Sequence, residues 1–135
     1  MDEPQVILIR GWVETSQSNA VTADVLGADA VSTAVTHEIG AWQVVDRLTE
    51  EEPVARIRSI VRFTTADAEP ATVSFVPGSQ GIDQAPSASS RSIASVTLTR
   101  GRALLLDARC WFRVDSPSAS VDALFPVPRA ASLSR

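Results

Sequence analysis

A run of alternating residues at positions 103–115 constrains the fold of this chain more than any other feature. One set of alternate positions is apolar and comprises Leu104, Leu106, Ala108, Cys110, Phe112 and Val114. The positions between them hold Leu105, Asp107, Arg109, Trp111, Arg113 and Asp115. Because successive side chains of a β-strand point to opposite faces, this period of two predicts one long strand with one buried face. It also predicts that Cys110 is a small buried hydrophobic residue.

Shorter segments with strand character precede and follow this run. We predict strands at residues 6–14 with a bend at Gly11, and at 21–26, 31–39, 42–47, 54–65, 71–76, 91–99 and 120–124. Residues 21–39 also fit a helix, because several apolar residues recur at helical spacing, but their density of Val and Thr favours strand. Turn residues at 66–70 and 100–102 predict two hairpins, one before the strand at 71–76 and one after the strand at 91–99.

These short strands, separated by Gly, Pro, Ser and Asp, predict an all-β fold. The expected architecture is an antiparallel β-sandwich or barrel, jelly-roll or Ig-like, of about eight strands. The length of 135 residues suits one domain. We assign residues 1–125 to that domain and residues 126–135 to an extended tail, because its prolines exclude a central strand. The long Ser/Ala/Pro loop at 77–90 is interpreted either as a crossover between two sheets or as an arm that orders on a neighbouring subunit.

Composition excludes several function classes. All 12 basic residues are Arg, so a P-loop lysine and a Schiff-base lysine are absent. The net charge of −4 argues against direct nucleic-acid binding. Residues 1–78 carry a net charge of −7 and residues 79–135 a net charge of +3, and such opposed patches could pair between copies of the chain. A single cysteine excludes an internal disulfide.

The sequence predicts no catalytic residue, no cofactor and no metal site. His37 is the only imidazole, and it alternates with Glu38 on a predicted strand, so we interpret it as a solvated or partner-facing residue. The acidic residues 50–52 lack the spacing of a calcium loop and are interpreted as a solvated turn. The N-terminus lacks the basic and apolar regions of a signal peptide, and no apolar window is long enough to span a membrane. We therefore expect a soluble cytoplasmic product.

Arginine and tryptophan side chains supply the candidate interface residues. Arg109, Trp111 and Arg113 share the outward face of the predicted long strand, and Trp and Arg are enriched in interface hot spots. This face is interpreted as a protein interface, as a carbohydrate or small-ligand site, or as a second packed face of a two-sheet core. A second row of candidates, predicted to face solvent or a partner, is formed by Arg56, Arg58 and Arg62.

The chain resembles the small accessory proteins of tailed bacteriophage virions, such as capsid cement or decoration proteins and tail components. The resemblance rests on the Ser/Thr/Ala/Val-rich strands, the loop Ser87-Ala88-Ser89-Ser90 and the tail Pro126-Val127-Pro128, and it includes no specific motif. It implies a β-sandwich or barrel that forms a homo-oligomer, such as a trimer, and clamps neighbouring capsid subunits. No individual residue role follows from it.

We therefore expect a non-enzymatic structural protein of a virion or another large assembly. The alternative from a different class is a small ligand-binding or carbohydrate-binding β-barrel, with Trp12 or Trp42 lining a pocket. An enzyme is the third possibility, and its turnover would depend on His37.

Overall fold

The computed structural model describes residues 3–46, 57–65, 68–80, 82, 85–86 and 92–126. Within these residues the chain forms two short helices and nine strands. In chain order they are α1 (Glu3–Arg10), β1 (Trp12–Thr15), α2 (Ser18–Leu26), β2 (Val31–Ala34), β3 (Trp42–Gln43), β4 (Ile60–Thr65), β5 (Ala71–Phe75), β6 (Ala94–Leu98), β7 (Ala103–Asp107), β8 (Phe112–Val114) and β9 (Ala119–Phe125).

The strands form two antiparallel sheets that pack face to face. The five-stranded sheet has the order β1-β7-β4-β9-β2, and the four-stranded sheet has the order β3-β8-β5-β6. This arrangement confirms the predicted all-β antiparallel sandwich, and the two sheets are not closed into a barrel. The outermost strands are β1 and β2 in the larger sheet and β3 and β6 in the smaller one.

The main hydrophobic core lies between the two sheets. Phe63 and Phe112 meet edge to face with their ring centroids 5.0 Å apart, and Trp12 and Phe75 do the same at 5.0 Å. The core also contains every residue of the apolar set in the alternating run, namely Leu104, Leu106, Ala108, Cys110, Phe112 and Val114. The prediction that this set forms one buried face is therefore confirmed.

A second, smaller core lies on the outer face of the five-stranded sheet, beneath the two helices. Ile7 of α1 and Val21 of α2 pack there against residues of four strands, which are Val13, Ile60, Leu105 and Leu124. Strand β7 is thus covered on both faces, and all five of its residues are buried. A strand between two cores carries apolar residues without alternation, as the three leucines of β7 do.

Helix α1 occupies most of the segment predicted as a strand at residues 6–14, so that prediction is wrong before residue 12. Pro4 lies in the first turn, where its missing N–H is tolerated. Gly11 has a φ of 87°, and its N–H donates to the Ile7 carbonyl oxygen at 2.8 Å, which ends the helix in the manner typical of glycine. The β-branched residues of this segment favoured a strand. Pro4 and Gly11 are helix boundary signals, however, and the segment between them forms a helix.

Helix α2 replaces the strand predicted at residues 21–26. The helical spacing of Val21 and Val25 was the correct alternative, because the buried side of this element follows that spacing onto the second core. The Gly27 N–H donates to the Ala23 carbonyl oxygen at 2.8 Å and ends the helix. The strands predicted at residues 31–39 and 42–47 are shortened to β2 and β3.

The predicted long strand at residues 103–115 is interrupted in the structure. Strand β7 lies in the five-stranded sheet and β8 in the four-stranded sheet, and residues 108–111 form a corner between them. The Ala108 carbonyl oxygen accepts from the Asp46 N–H at 2.9 Å, and the Trp111 carbonyl oxygen accepts from the Val76 N–H at 3.0 Å. These contacts to neighbouring segments fix the corner, and the alternating pattern contains no signal for it.

Both predicted hairpins are wrong. Strands β4 and β5 belong to different sheets, and so do β6 and β7, so each turn carries the chain from one sheet to the other. Conversely, β5 and β6 are antiparallel neighbours, so the loop at 77–90 does not cross between sheets. The prediction that it is an arm on a neighbouring subunit concerns residues that lie partly outside the described ranges.

Candidate interaction surface

The predicted outward row of Arg109, Trp111 and Arg113 is divided between the interior and the surface. Arg109 is 2% exposed and Trp111 is 6% exposed. Arg113 is half-buried on the outer side of the four-stranded sheet. The prediction that the first two face outward is wrong, because the chain turns at residues 108–111 and the segment from Pro77 to Gln80 lies against that turn.

Arg109 forms a buried ion pair with Asp107 at the end of β7. Its Nε and Nη2 atoms donate to the Asp107 carboxylate at 3.0 and 2.8 Å, and its backbone N–H donates to the same carboxylate at 3.1 Å. Gln80 Nε2 adds a further hydrogen bond to that carboxylate at 3.0 Å. A buried charge needs an opposite charge and hydrogen-bond partners, so we interpret this ion pair as a structural element that holds the corner in place.

Trp111 is also held in the interior by hydrogen bonds. Its backbone N–H donates to Ser79 Oγ at 2.9 Å, and its indole Nε1–H donates to the Ile82 carbonyl oxygen at 2.7 Å. Ser79 Oγ in turn donates to the Val76 carbonyl oxygen at 2.6 Å. The predicted outward face had three interpretations. The third, a second packed face of a two-sheet core, is the one that fits Trp111.

Arg113 belongs to a polar network on the outer face of the four-stranded sheet. Its Nε donates to the Asp115 carboxylate at 2.6 Å, and its guanidinium lies over the Trp42 ring at 5.0 Å. Ser74 Oγ donates to the same carboxylate at 2.6 Å and is hydrogen-bonded to Ser95 Oγ at 3.0 Å. This network presents Arg113 and Trp42 together at the surface, a pairing that the sequence spacing does not reveal.

Arg58 and Arg62 are both engaged in ion pairs. Arg58 donates two hydrogen bonds to the Asp46 carboxylate, at 2.8 Å from Nε and 2.7 Å from Nη2, and Ser59 Oγ adds a third at 3.0 Å. The hydrogen bonds from Arg58 lower the pKa of Asp46 from its ordinary value. Arg62 pairs with Asp122 at 2.8 Å. Arg56, the remaining candidate of this row, lies outside the described residues.

The surroundings of His37 and Cys110 differ. His37 is half-buried on the segment after β2, with Nδ1 3.4 Å from the Val35 carbonyl oxygen. Cys110 is fully buried in the main core, as predicted, and burial raises the pKa of its thiol to about 11. Among the described residues, no group of three His, Cys, Asp or Glu side chains is placed to hold a metal ion.

A polar cleft of about 270 Å³ lies on the outer face of the five-stranded sheet, between α2 and the strands β4, β9 and β2. We call it the α2 cleft. It is lined by Asn19, Thr22, Ala23, Gly27, Ala28, Ala30, Ser32, Arg62 and Leu124. Arg62 also donates to Asn19 Oδ1 at 3.3 Å, which ties the helix to the sheet. The Thr22 hydroxyl, at the wall of the cleft, is buried and has no hydrogen-bond partner among the described residues.

Strand β2 borders the α2 cleft and is the most exposed strand described. All four of its residues are exposed, and Val31 is 49% exposed. It pairs with β9 along one edge, in the register Val31 to Phe125 through Ala34 to Asp122. Sequence reasoning placed a strand here but could not identify it as an edge strand, since that property depends on the order of strands in the sheet.

A second cleft, of about 360 Å³, lies beside α1. Its lining combines apolar residues of the helix with the start of the loop at 77–90, and consists of Leu8, Ile9, Arg10, Gly11, Ile57, Gly78, Gln80 and Asp107. Neither this cleft nor the α2 cleft is lined by a tryptophan. The predicted ligand-contacting residues Trp12 and Trp42 instead contact arginine side chains, with Arg10 3.8 Å over the Trp12 ring.

The chain matches no protein-family model, and a search of curated proteins finds no match. Neither helix of the described chain is long and apolar enough to cross a membrane.

Proposed function

We propose that this protein is a non-enzymatic structural protein that binds to and stabilises a large assembly. The assembly we infer is a virion, in which the protein acts as a cement or decoration protein or as another capsid-associated or tail-associated component. The observation that carries the interaction role is the exposure of all four residues of β2 at the edge of the larger sheet.

An exposed edge strand favours an interaction role for a physical reason. Unpaired N–H and C=O groups along a sheet edge are a template for pairing with another chain, and monomeric proteins block such edges with charged residues, proline, bulges or covering segments. Strand β2 reads Val-Ser-Thr-Ala and contains no charged residue and no proline. An edge of this kind is suited to being covered by a partner.

The virion context is supported by the resemblance of the chain to accessory proteins of tailed bacteriophages. That resemblance also supports self-association into a homo-oligomer such as a trimer. The surface residues that we assign to self-association are Arg113 and Trp42, which lie together on the outer face of the four-stranded sheet. This face is on the other side of the sandwich from the α2 cleft.

Density-gradient sedimentation of the source material tests the proposal. We expect the protein to migrate with a large particle at a fixed number of copies per particle, and to remain there after a salt wash that removes loosely bound protein. Migration as a free small species would overturn the assembly role. A small protein of similar charge, added to the same extract, controls for nonspecific trapping.

The alternative class, a ligand-binding or carbohydrate-binding protein, receives no support from the α2 cleft or the cleft beside α1. Both lack the tryptophan lining on which that alternative was based. A saturable change in tryptophan fluorescence with a panel of glycans and small molecules would favour it over the structural role.

A further inference from the structure

We propose that the α2 cleft binds the carboxylate group of a small organic acid, and that Arg62 is the residue that recognises its charge. The proposed assembly role is not required for this site, because the ligand is a small molecule and not a partner subunit. Three properties of the cleft support the proposal, which are its charge, its unused hydrogen-bond donors and its size.

The charge of the α2 cleft favours an anion. Arg62 is the only charged residue among the described residues that line the cleft, and its side chain is 20% exposed. Its ion-pair partner Asp122 lies on β9 and is not part of the lining. A guanidinium has five N–H donors, and the hydrogen bonds to Asp122 and Asn19 use two of them. Arg62 therefore keeps donors for a second carboxylate.

The hydrogen-bonding groups that remain at the cleft are mainly donors. The Asn19 side-chain oxygen already accepts from Arg62 at 3.3 Å, so the amide nitrogen is left to donate. The Thr22 hydroxyl at the wall is buried without a partner in the described part of the chain, and Ser32 adds an exposed hydroxyl. An ionised carboxylate only accepts hydrogen bonds, so it matches these donors. An ammonium or guanidinium group only donates and does not match them.

The size and the apolar part of the lining limit the rest of the ligand. The cleft volume of about 270 Å³ is just below the usual range for ligand pockets, about 300–1,000 Å³, so the cleft suits a small molecule. A short hydrocarbon chain fits the small and apolar residues of the lining, because these present mainly carbon atoms. They are Ala23, Gly27, Ala28, Ala30 and Leu124. Since Asp122 already balances the charge of Arg62, a monocarboxylate is favoured over a doubly charged phosphate.

The cleft beside α1 does not show the same preference. Its lining contains both a cation, Arg10, and a carboxylate, Asp107. The Arg10 Nε donates to the Trp12 carbonyl oxygen at 3.0 Å, and its guanidinium lies 3.8 Å over the Trp12 ring. An anion in this cleft would meet charges of both signs. We therefore expect a carboxylate ligand at the α2 cleft and not at the cleft beside α1.

Titration of the isotope-labelled protein with small ligands, followed by NMR at constant ionic strength, tests the proposal. The probe is butyrate. Butyramide, which has the same shape without the charge, and butylammonium, which has the opposite charge, are the matched controls. We expect butyrate to shift the Thr22 and Ser32 amides and the Arg62 Nε–H, with a Kd of roughly 1–10 mM and binding about tenfold tighter than that of butyramide. Equal binding of either control, or shifts confined to the cleft beside α1, would overturn the proposal.

Two pairs of variants separate recognition by Arg62 from a general effect of charge. Asp122→Asn releases Arg62 from its ion pair, so butyrate should bind about three- to tenfold tighter, whereas Arg62→Gln should abolish the shifts. Asp115→Asn and Arg113→Gln change the ion pair on the outer face of the smaller sheet and are the matched controls, with no expected effect on binding. Unchanged or weaker binding in Asp122→Asn would contradict the proposal, and this variant keeps Arg62 in place.

A comparison of two carboxylates identifies the source of the ligand. Glutamate blocked at both its amino and carboxyl groups presents the same carboxylate as part of a peptide chain, as an acidic side chain of a partner would. We expect butyrate to bind more tightly, because the small cleft leaves little room for the blocked backbone. Tighter binding of the blocked glutamate would show that the site accepts a protein side chain, and the assignment to a free organic acid would be wrong.

Discussion

The corner between β7 and β8 and the edge strand β2 both lie in surroundings opposite to those that the polarity of their residues predicts. At the corner, the charged side chains of Asp107 and Arg109 are almost fully buried and are paired with each other. In β2, four uncharged residues with strand character are all exposed. Polarity alone would assign the first segment to the surface and the second to the interior.

Position in the sheet explains this inversion. Strand β7 lies between β1 and β4 and has a core on each face, so polar residues at its end become buried and must pair. Among the residues that the structure describes, strand β2 has one neighbouring strand, and all four of its residues are exposed. The corner therefore specifies the fold, whereas the outer edge of β2 has no backbone partner within the described part of the chain. Substitutions in the two regions should differ accordingly.

The largest expected effect is the loss of the buried ion pair. Arg109→Ala leaves the Asp107 carboxylate buried with fewer partners, so we expect the free energy of unfolding to fall by about 3–5 kcal/mol in urea denaturation. Arg113→Ala is the matched control, because its ion pair is partly exposed and should contribute about 1 kcal/mol or less. Equal losses in the two variants would contradict the structural role of Arg109.

A smaller effect is expected at Trp111. Trp111→Phe keeps an aromatic ring in the interior but removes the hydrogen bond from the indole Nε1–H to the Ile82 carbonyl oxygen. We expect a loss of about 1–2 kcal/mol in the free energy of unfolding. Trp42→Phe, at a half-buried site on the outer face, should cost less. If Trp111→Phe instead weakened self-association without affecting unfolding, the original interpretation as an interface residue would be restored.

The pH dependence of stability should report on Asp46. Hydrogen bonds from Arg58 hold the pKa of this carboxyl below its ordinary value, so the folded protein binds this proton less readily than the unfolded chain does. The resulting stabilisation is present above the unfolded pKa of about 4 and is lost as the pH falls through the lower folded value.

Urea denaturation at several pH values between about 6 and 3 measures this contribution. Asp46→Asn should reduce the fall in stability on acidification, by less than about 1 kcal/mol because Arg58 is partly exposed. Asp29→Asn, in an exposed turn, is the control. An unchanged acid profile in Asp46→Asn would show that this ion pair does not contribute.

The sequence predicted the sandwich and its main core because both depend on local alternation. Every residue of the apolar set from Leu104 to Val114, which includes Cys110, is buried as expected. Local alternation does not predict which of the two sheets a strand joins. Phe63 in β4 and Phe75 in β5 contribute to the same core from opposite sheets, and a hairpin would show the same alternation.

The candidate site was predicted less completely for a related reason. Arg109 and Trp111 were assigned to the surface from side-chain alternation, but the corner and the segment containing Ser79 cover them. The α2 cleft was missed because residues 21–26 were assigned to a strand. Residues 27–30 were left between two predicted strands, and Arg62 was identified as a candidate, but only the packing of α2 brings these residues together.

The smallest expected effect on stability is that of Ala34→Pro, and its comparison with Thr33→Pro distinguishes the two edges of β2. Ala34→Pro removes an N–H that faces away from β9, and proline is tolerated at such positions, so the free energy of unfolding should fall by less than about 1 kcal/mol. Thr33→Pro removes an N–H on the side of β9 and should cost about 1–3 kcal/mol, because a ladder hydrogen bond is lost. Urea denaturation of both variants gives the comparison. Similar losses would mean that the outer edge of β2 is already engaged within the protein, and it would then not be available to a partner strand.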